Sequence, residues 1–344
     1  MKAKEKEINN ELEEFLKNNP NINFMQTPNW AEIKENWKKE FIIVRNKENK
    51  ITGTMSILLR KVPIINRYIM YAPRGFICET NDKETLEKLT NKAKEIAKKY
   101  KAFIFILDPD VTNEDQKFKN IMTDLGYKMK KNIKSSNDVI QPKYLYKLNI
   151  KNKNEEEVMK LFSQKTRYNI KLAIKKGVKI REGDIKDINT FFKIMKETGK
   201  RDNFYVRKKT YYEKVYKEMS KEHAKILIAE YKNTEIAAAM PIMYGNKVWY
   251  LYGGSTNKYR NLMPNYLLQW EMIKLAINLK CETYDFGGIS GYMNTNSKSY
   301  GVYRFKKGFN GEIFECINEL YIIFNPIINF IWNILFKIRK KLIN

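Results

Sequence analysis

The sequence has few of the residues on which several common kinds of active site depend. Only three of its 344 residues are cysteines, Cys78, Cys281 and Cys316, and His223 is the only histidine. These residues are too few and too far apart for a disulfide framework, a Cys/His zinc site or a His-dependent catalytic triad. Each cysteine is most simply a small core residue, and His223, at the polar entry to an apolar run, favours a surface position.

Long apolar segments are also scarce. The first twenty residues are rich in charge and lack the apolar core of a signal peptide, so no secretory signal is visible. The most apolar stretch, near the C-terminal end, is interrupted by asparagine and is too short to span a bilayer. We therefore expect a cytoplasmic protein, with peripheral contact at the inner face of the plasma membrane as an open alternative.

Acidic residues are outnumbered, 39 against 65 basic ones, which gives a formal net charge of +26. Such a field favours polyanionic partners, namely nucleic acid, an anionic membrane face or phosphorylated substrates. Compositional drift is the other interpretation of part of this excess, because lysine and asparagine are abundant along the whole chain. Hydrophobic residues still make up 43% of the sequence, and this length suggests two packed domains.

One order of elements occurs twice along the chain: two apolar strands around a polar turn, an aromatic strand, a helix and another strand. Tyr71 before "APRG" corresponds to Tyr252 before "GGS". Three apolar positions of the first copy match three of the second at one constant offset: Ile51, Met55 and Ile57 with Ile236, Met240 and Ile242. Repeated units of this kind predict an α+β (mixed α/β) fold and resemble the GNAT (acyl-CoA N-acyltransferase-like) unit.

The duplication predicts two tandem GNAT-like domains, over residues 1–150, expected as the precursor-binding side, and 151–319, expected as the tRNA-binding and catalytic side. Residues 320–344 are predicted to form an amphipathic C-terminal helix that packs on the first domain or on a membrane. The glycine-rich loop that would bind the pyrophosphate of acetyl-CoA is missing from both halves, since Met263 and Pro264 occupy its place in the second. The sequence therefore predicts the fold without the acetyl-CoA signature.

Six segments occur in an order that is specific to one family. They are "TPNWAEIKENW", "FSQKTRYNIKLAIKKGVKI", "TGKRDNFYVRKKTYYEKVY", "WYLYGGSTNKYRNLMPNYLLQWEMIKLA", "YDFGGISG" and "VYRFKKGFNG". Together they resemble the FemABX family, whose members add bridge amino acids to peptidoglycan precursors. The segment between Tyr211 and Tyr252 is too short for the coiled-coil arm of some members, so this chain resembles the armless type.

The resemblance implies an aminoacyltransferase that uses aminoacyl-tRNA as co-substrate. Its acceptor would be the stem-peptide amine of lipid II or of UDP-MurNAc-pentapeptide, and its product an interpeptide bridge of the cell wall. Because the donor ester is already activated, positioning and oxyanion stabilisation suffice, and we expect neither a cofactor nor a metal. We also expect a monomer. Two alternatives stay open: a non-catalytic protein that binds tRNA or anionic surfaces, and a GNAT-fold acyltransferase with another acyl donor.

For catalysis, the resemblance points to Phe305 and Lys306. A lysine ammonium can donate to the oxyanion or to the terminal tRNA phosphate, and a phenylalanine can stack on a base. If the segment is a strand, Lys306 and Lys307 point to opposite faces, which makes Lys307 the internal control. Asp108, at the end of an apolar strand, is either a proton acceptor or a turn cap before a proline, and Asp285 is interpreted as structural.

For the precursor, the resemblance implies binding by Lys34, Arg207, Tyr211 and Tyr252. Lysine and arginine can neutralise a diphosphate, and positions 207 and 211 share a face if their segment is helical. Without the family context, surface cations and half-buried tyrosines explain the same residues. The predicted tRNA contacts lie on one basic helix, which could equally be a plain solvated face: Lys165, Arg167, Lys171, Lys175 and Lys176.

The C-terminal segment carries a helix start, with Asn325 as cap and Pro326 in the first turn. Asparagine and lysine recur every four residues from there, and apolar residues fill the other faces. We interpret it as an interfacial helix in which Trp332 and the basic residues 337–341 face an anionic membrane. Packing of its apolar face on the protein's own core is the alternative.

Overall fold

The computed structural model describes residues 2–63, 65–131, 133, 138–289, 292, 294–297 and 299–343. The chain divides into two compact units, Met1–Gln141 with Cys316–Asn344, and Pro142–Glu315. Two parts of this division differ from the sequence-based boundaries: residues 142–150 belong to the second unit, and residues 316–319 return to the first.

Helices and strands follow one another along both units. The helices are α1 (Lys2–Asn18), α2 (Pro28–Glu32), α3 (Lys83–Tyr100), α4 (Gln116–Asp124), α5 (Glu155–Leu161), α6 (Gln164–Lys175), α7 (Ile188–Asp202), α8 (Lys209–Glu218), α9 (Ser220–His223), α10 (Pro264–Asn278), α11 (Tyr300–Lys307) and α12 (Pro326–Ile343). The strands are β1 (Lys38–Arg45), β2 (Ile51–Val62), β3 (Arg67–Ala72), β4 (Ala102–Leu107), β5 (Lys128–Met129), β6 (Tyr144–Asn149), β7 (Lys179–Gly183), β8 (Ile226–Tyr231), β9 (Thr234–Tyr244), β10 (Lys247–Ser255), β11 (Thr283–Gly288), β12 (Glu312–Glu315) and β13 (Leu320–Ile323).

The first unit is built on a sheet with the strand order β1-β2-β3-β4-β13-β5. Strands β1 to β3 form an antiparallel meander, and β4 joins β3 in parallel after the crossover helix α3. Asp82 is the N-cap of helix α3, and its carboxylate accepts a hydrogen bond from the Thr85 N–H at 3.0 Å. Leu86, Leu89 and Ala93 recur at helical spacing and are buried in the core of this unit.

The second unit repeats this plan, with the strand order β12-β6-β11-β10-β9-β8-β7. Strands β8 to β10 are antiparallel, and β11 joins β10 in parallel after the crossover helix α10. The apolar positions that match between the halves lie on β2 and β9 and are buried. The predicted mixed α/β fold and its duplication are therefore confirmed, and residues 211–252, whose backbone is described throughout, contain no coiled-coil arm.

The C-terminal segment corrects one prediction. Residues 320–323 are not helical but form β13, which inserts between β4 and β5. Helix α12 begins only at Pro326, where the Asn325 side chain accepts from the Ile328 N–H at 3.0 Å, as the cap was predicted to do. In the part of the chain that the structure describes, no helix is both long and apolar enough to cross a membrane.

The three cysteines are buried and free, which agrees with their interpretation as core residues. Cys316 accepts a hydrogen bond from the buried guanidinium of Arg74 at 3.3 Å within the first unit. His223 is only partly exposed, and its Nδ1 lies 3.0 Å from the Met243 carbonyl oxygen.

Candidate active site

The second unit has a gap in its sheet that the first unit lacks. In the first unit, the parallel ladder of β3 and β4 continues to their last residues, Ala72 and Leu107. In the second, the ladder of β10 and β11 ends at Trp249 and Asp285, although β10 continues to Ser255. The final residues of β10 thus have no parallel neighbour on that side among the described strands. Such an edge offers backbone donors and acceptors to an extended ligand.

Lys306 lies beside this gap, on a helix rather than on the strand considered from the sequence. Helix α11 turns by about 100° per residue, so Lys306 is 5% exposed while Lys307 is solvated. The Lys306 Nζ donates to the Gly288 carbonyl oxygen at 2.8 Å. Of the ammonium's three N–H donors, the described residues occupy one, which leaves two for a ligand. Burial lowers the pKa of Lys306 to about 8, and the charge of Asp285 partly offsets this effect.

Phe305 forms part of an aromatic wall next to this lysine. Its ring centroid lies 4.9 Å from that of Tyr266 in α10 and 5.6 Å from that of Phe309, both edge to face. Phe305 is half-buried, so part of the ring still faces solvent. Packing therefore fixes the ring and leaves a surface on which a planar group can stack.

Asp285 was interpreted as structural, and in the folded chain it also influences the charge of Lys306. The Asp285 Oδ1 accepts from the Gly287 N–H at 2.7 Å, near the end of β11, where Gly287 has φ +75°, a conformation that favours glycine. Asp285 is buried, and its negative charge favours the ammonium form of Lys306. The available signal was a carboxylate in an apolar segment, two residues before a pair of glycines.

Three of the four residues predicted to bind the precursor lie together in the second unit. The Tyr252 hydroxyl donates to the Tyr211 hydroxyl at 3.2 Å, and the Arg207 guanidinium lies 5.5 Å from the Tyr211 ring centroid. Arg207 precedes α8, so the condition for a shared helix face with Tyr211 is not met; the cation–π contact brings the pair together instead. Burial and the neighbouring Tyr211 raise the pKa of Tyr252 well above its usual value, so its hydroxyl stays neutral.

Two predicted residues lie in the first unit. Lys34 follows α2, is partly buried, and places its Nζ 4.6 Å from the centroid of the Trp30 ring. Asp108 follows β4 and is buried; its Oδ2 accepts from the Tyr71 hydroxyl and its Oδ1 from the Arg74 N–H, both at 2.8 Å. Burial raises the pKa of Asp108 to about 6, against the opposing charge of Arg74. Both oxygens thus already serve groups of the same unit.

The predicted basic helix exists as α6 and ends, as expected, before Gly177. Lys165, Lys171, Lys175 and Lys176 are exposed. Arg167 is only partly exposed and donates to the Phe162 carbonyl oxygen, so it acts within the fold. The helix starts beside the catalytic candidates, because the Ser163 N–H donates to the Gly308 carbonyl oxygen at 2.9 Å.

Two tyrosines near these residues were not identified from the sequence. Tyr168 is 62% exposed and stands among the exposed lysines of α6, three residues from both Lys165 and Lys171. Tyr205 is exposed, and its ring centroid lies 5.6 Å from the Arg207 guanidinium. Their spacing to basic residues was the usable signal, but tyrosine is common in this chain.

Comparison with known proteins gives consistent results for family and fold. The FemAB family model matches residues 8–235 and 222–335 of the chain. Lipid II:glycine glycyltransferase of Staphylococcus aureus (strain MRSA252) is 29% identical over 392 aligned residues, covering 93% of this chain and 92% of the relative.

Two solved structures extend the comparison. The crystal structure of FemX superposes with a TM-score of 0.86 at 28% identity, over 92% of this chain and 96% of that one. A tandem GNAT protein from the clavulanic acid biosynthesis pathway matches with a TM-score of 0.52 at 9% identity, over 85% of each chain. The second match concerns the fold alone.

Proposed function

Since this chain belongs to the FemAB family, we propose that it is an aminoacyltransferase which builds the interpeptide bridge of peptidoglycan. The donor is an aminoacyl-tRNA, and the acceptor is the stem-peptide amine of a peptidoglycan precursor. The observation that carries this proposal is the buried Lys306, which keeps two N–H donors beside the gap between β10 and β11. Relatives named lipid II:glycine glycyltransferase support the same class of reaction.

In the proposed reaction, the acceptor amine attacks the carbonyl carbon of the aminoacyl ester. A C–N bond forms, the C–O ester bond breaks, and the proton lost by the amine ends on the ribose oxygen of the leaving tRNA. The Lys306 ammonium stabilises the developing oxyanion, and its pKa of about 8 keeps it mostly charged at neutral pH. Because the aminoacyl ester is already activated, we propose the step without a metal or a cofactor.

The precursor is held through its diphosphate and sugar by the Arg207, Tyr211 and Tyr252 cluster of the second unit. Lys34 of the first unit stays a separate prediction from the family resemblance. Contact with two aromatic rings holds the Arg207 guanidinium in place before the ligand arrives, which lowers the entropy cost of binding. The names of the relatives favour the lipid-linked precursor, lipid II, over the soluble UDP-linked form. The protein would then act as a monomer at the inner face of the plasma membrane.

The tRNA is bound along α6. Twelve residues give a helix of about 18 Å, enough for several successive phosphates of a single strand. Lys165, Lys171 and Lys175 supply the charge, Lys176 follows at the helix end, and the exposed Tyr168 ring offers a surface for a base. Because α6 begins beside Gly308, a strand along it would bring its 3′ end to Lys306.

The test is incubation of the protein with a mixture of aminoacyl-tRNAs and either UDP-MurNAc-pentapeptide or lipid II, followed by mass spectrometry of the precursor. A mass increase by one amino-acid residue is expected, and its size identifies the residue that is added. No increase with any aminoacyl-tRNA on either acceptor would refute the transferase function. Binding of tRNA without transfer would then favour the non-catalytic alternative.

A further inference from the structure

Helix α12 carries an apolar stripe that the fold of its own unit leaves uncovered. Ile327 is 74% exposed, Phe330 67%, Ile331 41% and Ile334 43%. Spacings of three, four and seven residues place all four side chains on one side of the helix. Four large apolar side chains on one exposed face exceed the scattered single residues that ordinary surfaces show.

The opposite side of α12 packs on the first unit. The Trp332 ring centroid lies 6.3 Å from that of Phe103, the second residue of β4. Trp332 therefore belongs to the packed side, and its assignment to a membrane was wrong, because at 100° per residue it points away from the stripe. Packing of this helix on the protein's own core is thus confirmed for the side that carries Trp332. The other side is exposed, and its contact with a membrane stays a prediction.

We propose that the stripe is an attachment site for the surface of an anionic lipid bilayer. Charge complementarity supports this occupant, because the chain carries a net +26 and α12 continues through the basic residues 337–341. The side chains of those residues lie outside the ones described. The choice of a bilayer also rests on the proposed lipid-linked acceptor. A second copy of the chain fits less well, since a stable interface takes roughly 20–30 residues a side.

In this arrangement, α12 lies flat in the interface with the stripe among the acyl chains and the first unit above it. A few apolar side chains with basic neighbours give reversible attachment rather than permanent insertion. Such attachment would keep the enzyme on the surface to which a lipid-linked acceptor is confined, and it would thereby raise the rate of encounter.

The test uses the full-length protein and sedimentation with vesicles of phosphatidylcholine with and without phosphatidylglycerol. The variant Phe330→Ser/Ile334→Ser removes half of the stripe, and Asn333→Ser is the matched control at an exposed position between them. We expect binding to the anionic vesicles, a loss of about tenfold or more in the double variant, and none in the control. Thermal unfolding should change little in either variant, because Phe330 is 67% exposed, Ile334 is 43% exposed and Asn333 is exposed.

Equal binding by the double variant and the control would overturn the proposal, as would equal binding to vesicles without phosphatidylglycerol. Self-association that the double variant abolishes, measured by analytical ultracentrifugation without lipid, would assign the stripe to a second copy instead. Transfer to the soluble UDP-linked acceptor separates this test from that of the function. If attachment fails, this transfer persists, whereas failure of the proposed function removes it in every variant.

Discussion

A rotation of about 100° separates neighbouring side chains on a helix, and at Lys306 and Lys307 it separates a buried ammonium from a solvated one. The two residues share charge, length and propensity, so their surroundings alone distinguish them. Lys306 donates a hydrogen bond to the Gly288 carbonyl oxygen, and the negative charge of Asp285 favours its ammonium form. The Lys307 Nζ lies at the surface, 6.0 Å from the centroid of the Tyr303 ring. This contrast supports a comparison of the two lysines by mutation.

Lys306→Met should lower the kcat of transfer by about 100-fold or more, because a preorganised oxyanion donor is lost. Lys307→Met removes the same charge and should stay within about twofold of the wild type. Single-turnover transfer to the soluble acceptor measures both. Equal losses in the two variants would contradict a special role for Lys306.

Transfer by the wild type should decline as pH rises through about 8, where Lys306 loses its proton. Lys306→Arg keeps its charge throughout this range, so its rate should lack the decline at about 8, whatever its absolute value. The pH profile of kcat measures this difference. A decline of the same midpoint in the arginine variant would assign it to another group.

The same burial has a consequence for stability. The folded state holds the pKa of Lys306 at about 8, below the value of 10.5 in the unfolded chain, so burial penalises the charged form. The penalty is full below pH 8 and disappears as pH rises from 8 to 10.5. Relative to Lys306→Met, the free energy of unfolding of the wild type should therefore rise across this window, as urea denaturation can measure.

A substitution of Asp108 can distinguish its two predicted roles, that of a catalytic proton acceptor and that of a structural turn cap. Asp108→Asn removes one of the two carboxylates whose charge acts on the buried Arg74, the other being Asp110, and should lower the free energy of unfolding by about 3 kcal/mol. The kcat should change by only a few-fold, because both oxygens already accept bonds from Tyr71 and Arg74. A large loss of kcat at unchanged stability would instead establish Asp108 as the base.

At the scale of elements, α6 combines separate exposed charges with one exposed ring. The buried side of α6, with Ile170 and Ala173, packs in the core of the second unit. The exposed lysines on the other side of the helix do not contribute to that core. Substitution of the outer lysines should therefore affect ligand binding without affecting the fold.

The triple variant Lys165→Gln/Lys171→Gln/Lys175→Gln should weaken tRNA binding and reduce the slope of log K against log salt by about two to three units. The matched control replaces three exposed lysines of the first unit, Lys94, Lys98 and Lys101, by glutamine in the same way. Filter binding at several salt concentrations measures the slopes. Equal slopes in the two triple variants would mean that only the net charge matters.

Helix ends could be predicted from the sequence where neighbouring residues determine them, and strands could not where their partners lie far away in the chain. The end of α6 at Gly177 and the cap of α12 at Asn325 follow from neighbouring residues, and both are confirmed. Strand β13 could not be predicted, because its partners in β4 lie more than 200 residues earlier. The effect of Asp285 on Lys306 was missed because the two residues meet only in the folded chain. Tyr205 was missed for another reason, since its partner Arg207 is only two residues away but tyrosine is common in this chain.

At the scale of the whole molecule, the two units are not consecutive in the chain. The first unit consists of the N-terminal residues and the last 29, and β13 supplies a strand inside its sheet. The second unit takes all of its strands from residues 144–315. A C-terminal deletion therefore affects the first unit, although the second unit lies nearer in the chain.

A chain that ends at residue 319 should lose the cooperative unfolding of the first unit, because β4 and β5 lose the strand between them. A chain that ends at residue 325 keeps β13, and both units should unfold cooperatively with reduced stability from the loss of α12. Hydrogen exchange of the β4 amides follows the first unit specifically. Equal protection in the two truncated chains would contradict this assignment.

The insertion of β13 also determines the order in which the protein is completed during translation. The strands of the second unit leave the ribosome before β13, so this unit can close while the first still has an open edge at β4. An unpaired edge with apolar side chains is a template for aggregation. The part of the protein made first is thus finished last, and a chaperone that protects the nascent N-terminal unit should raise the yield of folded enzyme.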